Sequence, residues 1–489
     1  MRRSRAGVAF LALLVLLATG CAAIGADELG DDGRADARPT SPEPADDDGG
    51  PSEVETDERS VEAAPDADAE VDETAGSPDA AADTDAAADT DAAADTDAAA
   101  DTDAAAGDDA GAVPSEEAAP LRSFTIAAVG DVMAHMGVVE SAAAHGRASG
   151  EDYDFDPMFA DVAPTLRAAD LAICNLETTL SPDNRDVYGG RDRRTASGAP
   201  LFHTPWQLAR TLRDVGFGAC STANNHATDA GIEGVRSTLD LLDEHGIAPA
   251  GTWQDEGLAG SPAWHDVAGV RVAHLAATYG LNLPLEPQDA WMVEVIDLDR
   301  LLDQAAQARA DGAEFVIVSL HHGVEYQVPI SDNQRLRTDT LLASDDVDLL
   351  LGHHAHVVQA IEHLGGKVAV HGMGNIVSDM KDWETGPDTE DGVVVLLEVV
   401  EQAGGGRFVV GDVAVVPTWV DRAAGHRIRD VGAALATEDL SPDQRAAFER
   451  SFARTMDAID RKGASSWGVG ATSGIAWFEG RASPLLVPS

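Results

Sequence analysis

Five apolar runs in this chain each lead into side chains that bind metals, and this pairing limits the folds open to it. Val347 to Leu351 precedes Gly352-His353-His354-Ala355-His356, and Val215 to Ala219 precedes Asn224-Asn225-His226. Phe124 to Val129, Leu171 to Cys174 and Phe315 to Leu320 lead into Gly130-Asp131, Asn175-Leu176-Glu177 and His321-His322. Runs this apolar read as strands buried on both faces, which belong to sheets covered by helices. Segments of helical pattern separate them, at Gly231 to His245, Leu301 to Ala310 and Asp332 to Ala343. Alternating strands and helices define an α/β architecture. The C-terminal ends of parallel strands share one rim of the sheet, so the motifs converge there. Neutral imidazole, amide oxygen and carboxylate suit divalent transition metals, and the pattern predicts a dinuclear centre.

Further strands are expected at Val270 to Ala276, Val368 to His371, Val393 to Val400 and Phe408 to Val416. Helices are expected at Phe159 to Arg167, at Pro205 to Arg213 with proline in the first turn, and at Pro442 to Ile459. Ser181 to Ala199, rich in Asp, Arg and Gly, reads as a loop. Late strands without long helices between them point to a mixed or second sheet. Residues 121–425 form the expected core domain, and 426–489 an extension without an assigned role. Cys174 and Cys220 each sit in an apolar run. A disulfide between them is possible if their strands are neighbours, but two buried free thiols acting as small hydrophobes is the expectation.

The first 120 residues are of a different kind. Arg2, Arg3 and Arg5 precede an apolar run from Val8 to Ala18, too short for a comfortable membrane span. The run leads into Leu17-Ala18-Thr19-Gly20-Cys21, which resembles a bacterial lipobox. Residues 1–20 are therefore read as a lipoprotein signal peptide, with lipidation at Cys21 and an export route to the outer face of the cell membrane. Residues 22–120 hold 32 acidic and 3 basic residues, no aromatics, and four tandem copies of Asp-Thr-Asp-Ala-Ala-Ala from Asp83 to Ala106. Such a segment cannot bury enough apolar surface to offset its ordering entropy, and reads as a disordered, self-repelling spacer over 21–120. The remaining residues from 121 onward are also acidic, with 54 acidic and 27 basic side chains. That sign argues against a nucleic-acid partner, whose phosphates demand the opposite charge.

In order, the motifs are Val129-Gly130-Asp131, Asn175-Leu176-Glu177, Asn224-Asn225-His226, His321-His322-Gly323-Val324-Glu325-Tyr326, Gly352-His353-His354-Ala355-His356 and Gly372-Met373-Gly374-Asn375. The series resembles the CapA family of bacterial poly-γ-glutamate capsule synthesis proteins over about residues 123–380, a family similar to the calcineurin-like metallophosphatases. The resemblance implies a four-layer α/β/β/α sandwich with two divalent metal ions (Mn, Fe or Zn) at the strand ends. It implies Asp131 as the first metal-ligating aspartate, Glu177 as the bridging carboxylate and Asn225 as the amide ligand. It makes His321 the lone later histidine, His354 and His356 the final pair, and His226 the catalytic histidine near the leaving group. A bridging carboxylate offsets repulsion between cations, and paired cations activate water and clamp phosphoryl oxygens. His226 would donate the proton to the leaving oxygen, with Asp229 or Glu325 orienting the histidines.

Two motifs depart from the metallophosphatase pattern. Asp131-Val132-Met133 replaces Asp-X-His, and His135 is the candidate for the missing nitrogen. Asn175-Leu176-Glu177 replaces Gly-Asp-X-X-Asp, and a longer Glu reaches differently from Asp. His322 and His353 either line the pocket or pack beside it. Gly130, Gly352 and Gly374 are read as strand-end turn residues, and Asn375 as a residue that closes the site. The implied function is synthesis, export or attachment of an envelope polymer such as poly-γ-glutamate, with capsule synthesis and export proteins as partners and a phosphoesterase-like hydrolase site. The alternative is a non-catalytic polymer-binding or assembly lipoprotein. The arginines between Arg185 and Arg194 form either a local anion-binding patch or a solvated loop.

Overall fold

A computed structural model describes residues 121–481 apart from position 438. The leader, Cys21 and the acidic spacer lie outside the described residues. Two sheets stack face to face. The first has nine strands: β1 (Ser123–Val132), β2 (Leu171–Leu176), β6 (Phe217–Ser221), β7 (Ala248–Ala250), β14 (Asn375–Val377), β15 (Asp391–Glu401), β16 (Phe408–Asp421), β17 (Arg427–Asp430) and β18 (Gly470–Ala471). Their order is β17-β16-β15-β1-β2-β6-β7, with β14 also beside β1 and β18 beside β16. The second runs β12-β13-β11-β10-β9-β8, made of β8 (Ala263–Val267), β9 (Val270–Thr278), β10 (Phe315–His321), β11 (Leu349–His353), β12 (Ile361–Leu364) and β13 (Lys367–Val370). The third is small, with β5 (Pro200–Pro205) between β3 (Thr179–Ser181) and β4 (Tyr188–Arg194).

Side-chain alternation builds the layers. On β10, Phe315 and Ile317 point between the sheets, where they meet Ile126 and Ala128 of β1 and Ile173 of β2. Val316, Val318 and Leu320 point outward, against Leu301 of α6 (Leu298–Ala310) and Leu341 of α7 (Asp332–Ala343). The outer face of the first sheet, including Ala127, Val129 and Leu176, is covered by α1 (Met136–Ser149), α2 (Asp156–Phe159), α3 (Ala163–Ala168), α4 (Gln207–Asp214) and part of α5 (Gly231–Glu244). The result is the expected four-layer α/β/β/α order. β1, β2, β6 and β7 are parallel, as are β9, β10, β11 and β13, so the motif-bearing ends of both sheets meet at one rim.

Several expectations are corrected. The 181–199 stretch is no loop: it supplies β4 and joins the small sheet, although its Gly, Asp and Arg content hides a strand pattern. Pro205 closes β5 and does not open a helix; α4 begins two residues later. The helix expected at Phe159 to Arg167 is two short pieces, because Pro164 sits in the first turn of α3, where it lacks the donor that would continue an earlier helix. Helix α1 was not expected, since Gly137, Gly146 and small alanines blur its periodicity. Residues after 425 are not a separate extension. β17 pairs with β16, and α9 (Val431–Thr437), α10 (Pro442–Asp460) and α11 (Gly474–Arg481) pack on the same body, with Ala458 and Ile459 in the inter-sheet core. Among the described residues no helix is long and apolar enough to cross a membrane.

Cys174 and Cys220 form a disulfide, not two free thiols. They are register partners on adjacent strands β2 and β6, which brings them within bonding reach. The bond closes a span of 46 residues and sits on the helix-covered face, one residue before Asn175. A Cys174→Ser, Cys220→Ser variant is expected to lose about 2–4 kcal/mol in urea unfolding. Unfolding identical to wild type, with two reactive thiols in the denatured wild-type chain, would show that the bond does not form.

Candidate metal centre

Asp131 is the penultimate residue of β1 and is 1% exposed. Its Oδ1 accepts from Asn175 Nδ2 at 2.8 Å, and its Oδ2 accepts from the His354 backbone N–H at 3.3 Å. His356 Nδ1 lies 3.2 Å from Oδ2, and His353 Nδ1 3.5 Å from Oδ1. Burial pushes this carboxyl up, but His353 and His356 outweigh it and hold it well below the usual carboxylate range. The strand end is tight for a steric reason. A Cβ on Gly130 would sit 1.9 Å from the Gly374 carbonyl oxygen, and one on Gly352 would sit 2.1 Å from that of His371. These two glycines therefore serve close backbone approach, not a turn; of the three, only Gly374 adopts positive φ, at 66°.

Glu177 follows β2 and is fully buried, yet neither carboxylate oxygen has a hydrogen-bond partner. Its Oε1 is 3.3 Å from His321 Nε2 and 3.9 Å from both His226 Nε2 and His356 Nε2. Burial pushes its pKa up to about 8. A buried carboxylate without a donor is costly unless a cation compensates it. The histidines around it supply lone pairs instead: burial holds His321 and His354 well below their usual range, and His354 Nδ1 has no partner. His356 is the exception. Burial lowers it, but Glu177 and Asp131 outweigh burial and carry it to about 10.

Ligand-type atoms of Asp131, Glu177 and His321 lie within 4.8 Å of one another, and so do those of Glu177, His354 and His356. Glu177 belongs to both groups, which is the position a bridging carboxylate takes. Asn225 Oδ1 faces His321 Nε2 at 2.9 Å, beside the first group. The donor set fits two divalent cations chemically, since imidazole, carboxylate and amide oxygen suit Mn, Fe or Zn. His135 is the outlier. It belongs to neither group; its Nδ1 accepts from the Asp379 backbone N–H at 3.3 Å, and its ring packs on Phe202 in the wall of the cavity.

Asn224 shapes the loop after β6. Its Nδ2 donates to the Leu176 carbonyl at 2.8 Å, and its Oδ1 accepts from the His226 backbone N–H at 3.1 Å, an Asx turn that aims the next two residues at the rim. His226 Nδ1 is 2.7 Å from Asp229 Oδ2, as expected for an orienting acid. Asp229 is itself fixed by the Phe202 N–H at 2.7 Å. Burial lowers the His226 pKa, but Asp229 and Glu177 outweigh it, so the protonated ring is favoured. His354 and His356 both have left-handed backbones, with φ of 87° and 55°. Such strain in non-glycine residues costs about 1–3 kcal/mol each and persists where the surroundings hold it.

Sequence reasoning missed several participants. Asn175 precedes Glu177 by two positions, so the period of a strand places both on one side. Asn375, already a candidate from the sequence, meets His356 Nδ1 with its Oδ1 at 3.0 Å. His353 brings its Nδ1 to 3.5 Å from Asp131 Oδ1, and both His353 and His322 are buried with neither nitrogen hydrogen-bonded. Tyr279 and Tyr326 stand at the mouth, 42% and 39% exposed, with rings 4.5 Å from His354 and 6.0 Å from His356. Tyr279 directly follows the end of β9, a strand end with the same placement as the other motifs. The cavity above has a volume of about 390 Å³.

The fold and rim place this chain among α/β sandwich proteins with a candidate dinuclear site. It belongs to the family of bacterial capsule synthesis proteins PGA_cap, whose profile matches residues 125–380. It is 24% identical over 302 residues to the capsule biosynthesis protein CapA of Bacillus anthracis, covering 58% of this chain and 70% of that one. It is 26% identical over 258 residues to the PGA biosynthesis protein CapA of Bacillus subtilis, covering 52% and 64%, so it spans less than two thirds of that relative. Among solved structures, the calcineurin-like phosphoesterase YfkN of Bacillus subtilis aligns over 69% of this chain and 98% of its own, at 13% identity and a TM-score of 0.39.

The pH dependence follows from Glu177. Its folded-state pKa lies above its ordinary value of 4.5, so the fold favours its protonated form below that value and loses this stability as pH rises towards about 8. A cation prefers the carboxylate and reverses the loss. Protection by Mn²⁺ against thermal unfolding is expected to grow across this window in the wild type and to be much weaker in Glu177→Gln. Equal protection in both chains would remove Glu177 from the site.

Proposed function

We propose that this protein is a lipid-anchored, metal-dependent hydrolase on the cell surface that acts on a phosphorylated intermediate or polymer of the envelope, in the synthesis of a poly-γ-glutamate-like capsule. The carrying observation is the shared Glu177: a buried, unpartnered carboxylate common to two sets of ligand-type side chains. Asp131, Glu177, Asn225, His321, His354 and His356 would hold two divalent ions. Such ions supply Lewis acidity and a nucleophile at neutral pH. The chain's own residues do the rest. Asp229 orients His226 and favours its charged form, which holds a proton at Nε2 for a leaving oxygen. Tyr279 and Tyr326 narrow the mouth. The names of the relatives support the polymer pathway. Export is supported by the basic and apolar leader ending in Cys21 and by the Cys174–Cys220 bond, since disulfides persist in oxidising compartments.

The experiment is metal analysis by mass spectrometry on the full chain, followed by hydrolysis of 4-nitrophenyl phosphate. About two transition-metal ions per chain are expected in the wild type, lost in His354→Ala. His226→Ala is expected to retain them while its rate falls about 10²–10⁴-fold. Metal content with no hydrolysis of any phosphoester offered would leave the non-catalytic binding role, and absence of metal after reconstitution with Mn, Fe and Zn would remove the centre.

A further inference from the structure

The arginine-rich stretch after Ser181 resolves into three different fates. Arg185 pairs with Asp183 at 3.1 Å, far out in solvent. Arg193 lies over the Tyr188 ring, 4.5 Å from its centroid. Arg194, the last residue of β4, lines the cavity above the metal centre. Its Nη1 donates to the Gly198 carbonyl at 2.6 Å, which ties the guanidinium to the β4–β5 turn while using one of its five donors. The arm is docked firmly: a Cβ on Gly189 of β4 would lie 2.5 Å from the Met136 nitrogen and 2.7 Å from the Ala134 oxygen.

A second cation reaches the same cavity from a separate element. Lys381 precedes α8 (Asp382–Thr385), and its Nζ is 3.6 Å from Asp379 Oδ2. Asp379 is held in turn by His426 Nε2 at 3.1 Å, and Gly137 packs so closely that a Cβ there would lie 2.5 Å from Asp379 Oδ2. Lys381 is one of three lysines in the chain. Glu325 and Glu384 also face the cavity, so its wall is not uniformly positive. From position 121 onward the chain has twice as many acidic as basic residues, 54 against 27, so no general field draws an anion in. An anion held here is gripped at points.

We propose that Arg194 and Lys381 are specificity-determining residues that grip carboxylates of a polyanionic chain on the approach to the metal centre. The proposal deepens the hydrolase reading and rests on it for the identity of the reacting group. Both cations line the cavity from elements that carry no member of the ligand groups, β4 and the segment before α8, which suits them to anionic groups along a chain leading to the metals. A substrate with a single anion has no use for them, whereas a chain bearing a carboxylate on each unit presents anions to both. The arm formed by β3, β4 and β5 is then the device that adds chain recognition to the rim.

The test measures binding of a fluorescently labelled γ-linked glutamate oligomer to the full chain loaded with Mn²⁺, beside binding of inorganic phosphate and metal content. Arg194→Ala with Lys381→Ala is expected to weaken oligomer binding by about 10–100-fold, the worth of one or two charge-assisted hydrogen bonds. Metal content and phosphate affinity stay as in the wild type, and Arg194→Lys with Lys381→Arg restores most of the oligomer affinity. Unchanged oligomer binding in the double alanine variant overturns the proposal. So does a fall in phosphate affinity equal to the fall for the oligomer, which assigns the cations to phosphate. If the chain binds no metal but oligomer binding still drops in the variant, the grip stands and the hydrolase reading falls.

Discussion

A carboxylate with no hydrogen-bond donor, sealed between two sheets, sets the terms for everything around it. Glu177 cannot be explained by packing, because burying its charge alone costs several kcal/mol (on the order of a folded domain's whole margin). Its neighbours do not neutralise it as a simple ion pair would. Two of the imidazoles that approach the centre, His321 and His354, are kept as lone-pair donors, and the second carboxylate, Asp131, lies in the same space. Negative charge and lone pairs pointing at shared points form a candidate receptor for cations. The left-handed backbones at His354 and His356 and the tight glycine contacts at Gly130 and Gly352 all serve that receptor.

The two sheets divide the labour. The first, through β1, β2 and β6, brings Asp131, Glu177 and the Asn225–His226 pair. The second, through β10 and β11, brings His321, His354 and His356. Neither sheet holds a full ligand group by itself, so the inter-sheet core is what makes the centre. Ile126, Ile173, Phe315, Ile317, Leu349 and Leu351 fill that core directly beneath the rim. The disulfide ties β2 to β6 on the opposite face, which fixes the spacing of two ligand-bearing ends without occupying the site.

Much of this was legible in the chain. Strands buried on both faces betray themselves by unbroken apolar runs, and a ligand placed just after such a run has one place to go. Helices α5 and α6 were legible from an apolar period that ends near a glycine, and α7 from the capping serine Ser331 at its start. What stayed hidden depended on contacts distant in sequence. The β4–β5 arm takes its order from docking on the turn after β1, not from its own composition. Cys174 and Cys220 pair because β2 and β6 align in register, and register between parallel strands is not written in either strand alone. His135 is a ligand candidate by proximity in sequence, but it stands outside both ligand groups and its Nδ1 accepts from the backbone of Asp379.

The antiparallel pairing of β15 with β1 reaches further than the site. Residues from Ser123 to Val129 are matched one by one with Val400 back to Val394, and β15 is in turn zipped to β16. β14 covers only the end of the strand that carries Asp131, so from Ser123 to Val129 that strand is paired on this side by residues beyond the segment matched by the family profile. A fragment cut where that segment ends would leave one side of β1 as a bare hydrophobic edge, the kind of surface that recruits other strands and aggregates. The segment matched by the family profile thus ends short of the unit of folding, which runs on through β15, β16 and the helices that follow.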